Sequence, residues 1–362
     1  MSAHRTRPFP ALPAAQATST WWPSASVWKT LGSHLLIPLF LALGMSICYL
    51  GAFHQPQPHN FGVAIVGDTP ASMVFAQSLN NSDGAALDVR TVASSSEAKA
   101  LVRDHTVSAA YASDATHATI YEASANSASS AEAAQKLLLP IAYAQHLPVT
   151  VTDVAPGDAH DSTGQGLFFL MVALTVGAYA SAGAVSAIAP RVGVAWRVGA
   201  AAVVSGIVAA IGMVVAGPIF QVVSTDQWPV LLMAWLYTFG IIAIGVGLHP
   251  VLGKWTTPAL VTLFVMLNIT SSGGVFAAEF EPSFFAGIHA FWNGAAWLDA
   301  SQALVYFPGR TFGIDGLKLA IWAAAGIALI GATHLWSVRR ARIADDTRTT
   351  TLEEQEASAV AA

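Results

Sequence analysis

The chain has 362 residues, of which 54% are hydrophobic and only 10% are charged, with a mean hydropathy of +0.55. A soluble domain carries about 25% charged residues, so an ordinary globular protein is excluded and a membrane protein is expected. The net charge of −5 is segregated along the chain, and a single cysteine, Cys48, excludes an intrachain disulfide or a cysteine-based metal site.

Residues 1–30 form a cytoplasmic N-terminal segment. Its stretch STWWPSASVWKT places Trp21, Trp22 and Trp28 beside Lys29, which suits a short helix in the headgroup layer. Residues 31–53 are apolar over a length that spans a bilayer. No small-residue cleavage site precedes Phe53, so this span is expected to be an uncleaved anchor.

Residues 54–165 change character. Acidic side chains outnumber basic ones, and the pattern alternates between strands and capped helices. FGVAIVG reads as a buried strand, and Thr69-Pro70 opens a helix with Pro at its first position. ALDVRTV, VSAAYA, HATIYEA and LPVTVTDV read as further strands. Ser94-x-x-Glu97 and Ser129-x-x-Glu132 read as capping boxes for two more helices. The expected order is β-α-β-α-β-β-α-β, an extracytoplasmic α/β domain inserted between the first and second spans.

The rest of the chain, 166–338, reads as a transmembrane domain of five helices at about 166–188, 198–220, 230–251, 259–278 and 319–338, with a 279–318 extracytoplasmic interfacial segment. Residues 339–362 form a cytoplasmic tail, disordered or a short solvated helix. The fold class is therefore a polytopic α-helical membrane protein. Lys29, Arg191, Arg197, Lys254 and Arg339, Arg340 and Arg342 all flank span ends. Six spans put them on one side, with both termini cytoplasmic; five spans would strand one cluster outside.

The fourth of these five helices, the fifth span when the anchor is counted, ends in NITSSGGVFAAEFEPSFF, residues 268–285. Asn268 and Thr270 can bond across helices, Gly273 and Gly274 permit an unwound exit, and Glu279, Glu281 and Pro282 follow. Two accounts stand open. One is an ordinary glycine-capped helix end; the other is an outer gate built from Asn268, Ser272, Gly273, Gly274 and Glu281.

Chemical motifs are scarce. GLHPVLGK, residues 247–254, has one residue too many for a phosphate-binding loop, and Trp255 stands where Ser or Thr belongs. Any ATPase must then be a separate subunit. His54 and His59 lack acidic or Cys companions for a metal. No G-x-S-x-G is present, and no catalytic residue, cofactor or nucleic-acid partner is expected. The first three spans carry no Asp, Glu, Lys or Arg, which argues against a proton-driven carrier. Gly177, Ser181, Ser186, Gly199, Ser205, Gly206 and Gly212 suit close helix packing, within the chain or in a homo- or heterodimer.

One span, an extracytoplasmic α/β insertion and five clustered spans resemble the layout of the YhgE/Pip (phage infection protein) group, which is related to type-2 ABC exporter permeases. The stretch from Asn268 to Gly309 is similar to that group's best-marked segment, with Ser272, Gly273, Gly274, Glu281, Pro282, Phe284, Phe285, His289, Ala300, Tyr306, Phe307 and Gly309 matching in kind. Two prolines usual there are replaced by Ala and by Asn-Gly, and Gln302 stands in place of a frequent arginine. AIVGD, HATIYEASA and DVAPGDAHDSTGQGLFFL resemble actinobacterial members. The resemblance implies a bacterial plasma-membrane permease subunit, dimeric, exporting a hydrophobic or envelope-related substrate with a separate ATPase. It also implies that the cytoplasmic loop 189–197 meets that ATPase through Arg191 and Arg197, although such arginines can equally do no more than set topology. The alternative is a receptor or assembly scaffold whose outer domain binds a partner.

Overall fold

A computed structural model describes residues 25–53, 57–82, 87–125, 127–157, 160–161, 164–307 and 310–360. Most of the interfacial helix expected in 1–30 lies outside the described residues; Trp28 and Lys29 belong to the first turns of helix α1, Ala25–Phe53. An α/β domain follows, with strands β1 (Phe61–Val66), β2 (Leu87–Val92), β3 (Ala109–Ser113), β4 (Ala118–Glu122) and β5 (Val149–Asp153). Its helices are α2 (Pro70–Ser82), α3 (Ser95–Arg103) and α4 (Ala128–Ala144).

The sheet order is β2-β1-β3-β4-β5, parallel except for the β3–β4 hairpin. Asp114 makes that hairpin turn by accepting the N–H groups of Thr116 (2.7 Å) and His117 (2.8 Å). Alternation along the strands supplies two cores. Phe61, Val63, Ile65, Tyr111 and Ile120 pack towards α4, while Ala64, Ala110 and Tyr121 pack towards α3.

The capping signals resolve unequally. Ser94 caps α3, accepting the Glu97 N–H, and Glu97 returns a bond to the Ala93 N–H. In α4 the cap is Ser127, which accepts the Ser130 N–H, instead of the expected Ser129. Ser129 is drawn away because its hydroxyl donates to the Val275 carbonyl, at 3.0 Å, in a distant segment of the chain.

Among the described residues, five helical stretches are long and apolar enough to cross a membrane: Leu31–Phe53, Gly166–Ile188, Val194–Ile219, Gln227–Thr270 and Gly313–Ala344. They contain α1, α5 (Gly166–Ile188), α6 (Val194–Val214), α7 (Gln227–Leu252), α8 (Thr256–Leu260), α9 (Leu267–Thr270) and most of α12 (Gly313–Val360). Much of the tail expected after 339 therefore continues a single helix. Between them lie α10 (Ser283–His289) and α11 (Asn293–Val305).

The 44-residue stretch Gln227–Thr270 would be about 66 Å long as one straight helix. It is folded into a hairpin instead. The chain turns at Gly253, whose φ of +54° favours glycine, and Asn268 returns to donate a hydrogen bond to Tyr237. The returning arm is α8, a π-helical stretch Val261–Met266, and α9.

Helix α7 forms the centre of the bundle and is buried from Tyr237 to Gly247. Gly240 lies against Trp322 and Ala323, Gly247 against Leu329 and Ile330, and Gly326 against Ala243, so α7 and α12 approach closely. Gly177 and Gly212 are packed against Val208 and Leu174, whereas nothing lies near Gly199. The bundle's outer surface is apolar: Leu39, Leu43 and Ile47 on α1 and Val203, Ile207 and Ile211 on α6 are exposed. A face of this kind suits hydrocarbon.

Contacts order the two ends of the bundle. At one end Phe53 stacks on Phe276, 5.9 Å away, beside the α/β domain. At the other, Phe40 shares a groove with Leu252 and Trp255. Gly245 near Ala182 and Leu260 aligns the α5–α6 and α7–α8 turns. Lys29, Arg191, Arg197, Lys254, Arg339, Arg340 and Arg342 thus gather at the end away from the α/β domain.

Candidate functional site: a broken helix end and a buried hairpin

The polar stretch after α9 folds back on itself. Thr270 was expected to bond across helices, but its hydroxyl donates to Met266 of its own turn, as an isolated helical threonine does. Ser271 and Ser272 likewise return to Leu267 and Ile269. Gly273 adopts φ +77°, and the chain leaves the helix there. Gly274 lies against the Phe168 ring of α5 so closely that a β-carbon would enter it.

Asn268 does bond across helices. Its amide N–H donates to the Tyr237 hydroxyl (2.6 Å), and its oxygen accepts the Gly294 N–H (2.9 Å). Tyr237 also meets the Thr175 hydroxyl of α5. One asparagine, fully buried, thereby ties the returning arm to α7 and to the start of α11.

The segment 279–318 was expected to lie in the interface, yet α11 is buried from Asn293 to Leu298 and from Ala300 to Ala303. Tyr237 lies about 15 Å along α7 from its start, and the Tyr237 and Trp297 rings are 5.8 Å apart. Helices α10 and α11 therefore form a hairpin whose tip dips into the bundle. Trp292 at that tip donates to the Leu263 carbonyl (3.2 Å). That carbonyl is available because the π-helical arm sends the Leu267 N–H to Thr262. Along α11, Asn293, Trp297 and Ser301 fall at i, i+4 and i+8, and each keeps a buried polar atom with no hydrogen-bond partner.

Three ionisable side chains meet beside the broken helix end. Glu281, 2% exposed, accepts the Gly273 N–H at 3.0 Å through Oε1, while Oε2 is buried with no partner. His289 lies between the Ser271 carbonyl (Nδ1, 3.0 Å) and Asp299 (Nε2, 3.4 Å). Burial pushes the Glu281 carboxyl up to about 7, against the opposing pull of His289 and the Gly273 N–H. Burial would lower His289, but Asp299, Glu281 and the Ser271 carbonyl together raise it above the usual histidine value. The spans Leu31–Phe53 and Gly166–Ile188 carry no Asp, Glu, Lys or Arg; this loop-borne cluster places ionisable groups beside the bundle.

Both legs of the hairpin are fastened to the α/β domain. The entry leg places Phe276, Ala277 and Phe280 in the core beneath α4, with Phe280 5.5 Å from the Phe61 ring. Glu279 reaches Ser130, and its carbonyl accepts the His59 N–H. The exit leg places Tyr306 and Phe307 in the opposite core beneath α3. His105 meets the Phe307 ring edge-on at 4.2 Å, and Tyr306 donates to Asp161, which also accepts the first N–H of α5.

Asn268, Ser272, Gly273, Gly274 and Glu281 thus stand together, while Tyr237, His289, Asp299 and Asn293 join them without having been singled out as site residues. A histidine and an aspartate within about 25 residues of the Gly-Gly break are the only sequence signal for His289 and Asp299. At the far end, Arg191 is exposed, whereas Arg197 is buried and donates to the Ala189 (2.9 Å) and Val192 (3.2 Å) carbonyls, closing the α5–α6 turn. Among the described residues no group of His, Cys, Asp and Glu is suited to a metal. A groove of about 630 Å³ between α5 and α6 is lined by Phe169, Leu170, Leu174, Ile211, Val215 and Phe220. No family model matches the chain, and no curated protein or solved structure matches it.

Proposed function

We propose that the chain is a permease-like membrane subunit of an exporter, akin to the YhgE/Pip group and to type-2 ABC permeases. It crosses a bacterial plasma membrane six times, with both termini cytoplasmic, and works as a dimer with a separate ATPase. The hairpin Gln227–Thr270 supplies two crossings. The observation that carries the reading is the α10–α11 hairpin, held at both legs by the outer domain and closing on the Ser271–Gly274 break. Such a device can open and shut an outer exit. The apolar groove between α5 and α6 suits a hydrophobic or envelope-derived substrate.

At the inner end, Arg191 is the contact offered to an ATPase; Arg197 is occupied by its own loop. Affinity purification from the native host should recover an ATPase, and Arg191→Glu should lower transport at least tenfold while membrane insertion is unchanged. Purified complexes that never contain an ATPase, from a host without one encoded nearby, would sink the proposal.

The scaffold reading keeps one specific support, the exposed pair Met73 and Val74 on α2. Deleting 58–160 cannot separate the two readings, because it would strip the cover from Phe276 and Phe280. Surface substitution can: Met73→Glu with Val74→Glu should leave an exporter working and disable a scaffold.

A further inference from the structure

The ring nitrogens of His289 both face acceptors. The Ser271 carbonyl can only accept, so Nδ1 carries a proton; Nε2 faces the Asp299 carboxylate. The packed arrangement is therefore satisfied by an imidazolium. Glu281 adds a second carboxyl to the same buried space, with one oxygen engaged by Gly273 and the other without a donor. If Glu281 ionises in place, two carboxylates share one imidazolium and a buried negative charge is left over.

We propose that Glu281, His289 and Asp299 form a proton-binding site that latches the α10–α11 hairpin to the broken helix end at Gly273. With the cluster protonated, Glu281 holds Gly273 and the hairpin is docked. On losing a proton, the Glu281 carboxylate moves to water, releases the Gly273 N–H, and the chain pivots at that left-handed glycine. Nothing in this requires transport or an ATPase, so the latch stands or falls independently of the exporter reading.

The direction follows from linkage. Glu281 and His289 both bind protons more tightly in the docked state than in water. Docking is thus favoured in acid. It weakens as the pH rises above the ordinary carboxyl range, through about 7 for Glu281, and beyond the ordinary histidine value for His289. The other charged or titratable groups nearby are Glu279, which faces Ser108 and Ser130, and His105 with Arg310 on the exit leg. His105 acts in the opposite sense, since burial and then the Arg310 charge hold it down to about 3.

Hydrogen exchange of the full-length protein in nanodiscs, corrected for intrinsic rates, tests the latch. Amides of residues 273–289 should exchange more than tenfold faster at about pH 8 than at about pH 6. Glu281→Gln keeps the oxygen for Gly273 without the charge, and should stay protected at both. Asp299→Asn, which removes the partner of the imidazolium, should shift the transition to lower pH. Wild-type protection that is flat across this range overturns the proposal, as does a Glu281→Gln profile identical to wild type or an Asp299→Asn profile that does not move.

Discussion

Gly274 and Gly273 are adjacent but constrained by different physics. A β-carbon at Gly274 enters the Phe168 ring, so any side chain must displace a packed aromatic. A β-carbon at Gly273 would stand 3.1 Å from His289, and the main cost there is the left-handed φ of +77°. Gly273→Ala should therefore cost about 1–2 kcal/mol and Gly274→Val about 1–3 kcal/mol or more. Thermal unfolding in detergent should rank Gly274→Val as the worse, and under the exporter proposal both should block transport while leaving insertion intact. A second pair of substitutions separates satisfied from unsatisfied polar groups. Asn268→Leu strands the Gly294 N–H, at about 1–3 kcal/mol, and leaves the Tyr237 hydroxyl with Thr175 as its partner. Ser301→Ala removes a buried hydroxyl without a partner and should be neutral or slightly stabilising in the same assay.

At the scale of elements, the α/β domain and the α10–α11 hairpin are one mechanical unit. Phe280→Ala should cost about 3–5 kcal/mol and be felt in the domain's core instead of in the bundle. Limited proteolysis should then cut near residues 58 and 157 much faster, while the apolar helices stay protected. The exit leg carries its own pH dependence. His105 is held near 3 by burial first and the Arg310 charge second, so the docked ring is neutral. Its contribution is present above about 6.5, the ordinary value, and is lost as the pH falls towards 3. The same proteolysis should quicken as the pH falls from about 6.5 towards 3, and His105→Phe, which keeps a ring against Phe307, should remove that rise.

At the scale of the molecule, the cations at one end and the α/β domain at the other predict a labelling pattern. With Cys48 replaced by Ser, single cysteines at Arg191 and Lys254 should react only from the cytoplasmic face. Cysteines at Asp114 and Ile314 should react only from outside. Labelling of positions 191 and 254 from opposite faces would contradict a hairpin in Gln227–Thr270.

Much of this architecture is legible in the sequence itself. Alternation, Thr69-Pro70 and the Ser94–Glu97 box are local signals, and they placed the α/β elements in the right order. Apolar length marked the long helices for the same reason: a bilayer constrains composition directly. Asn268, Gly273, Gly274 and Glu281 stood out because polar and flexible residues inside an apolar run are locally anomalous. What only the tertiary structure decided is non-local. Ser129 lost its cap to the Val275 carbonyl, 146 residues away, whereas Arg197 and Thr270 found acceptors within their own loop and turn. The descent of α11 into the bundle, the sharing of both domain cores with the hairpin legs, and the meeting of Glu281, His289 and Asp299 depend on packing between distant segments. Composition and periodicity describe what a segment can bury; only the fold determines against which neighbour it is buried.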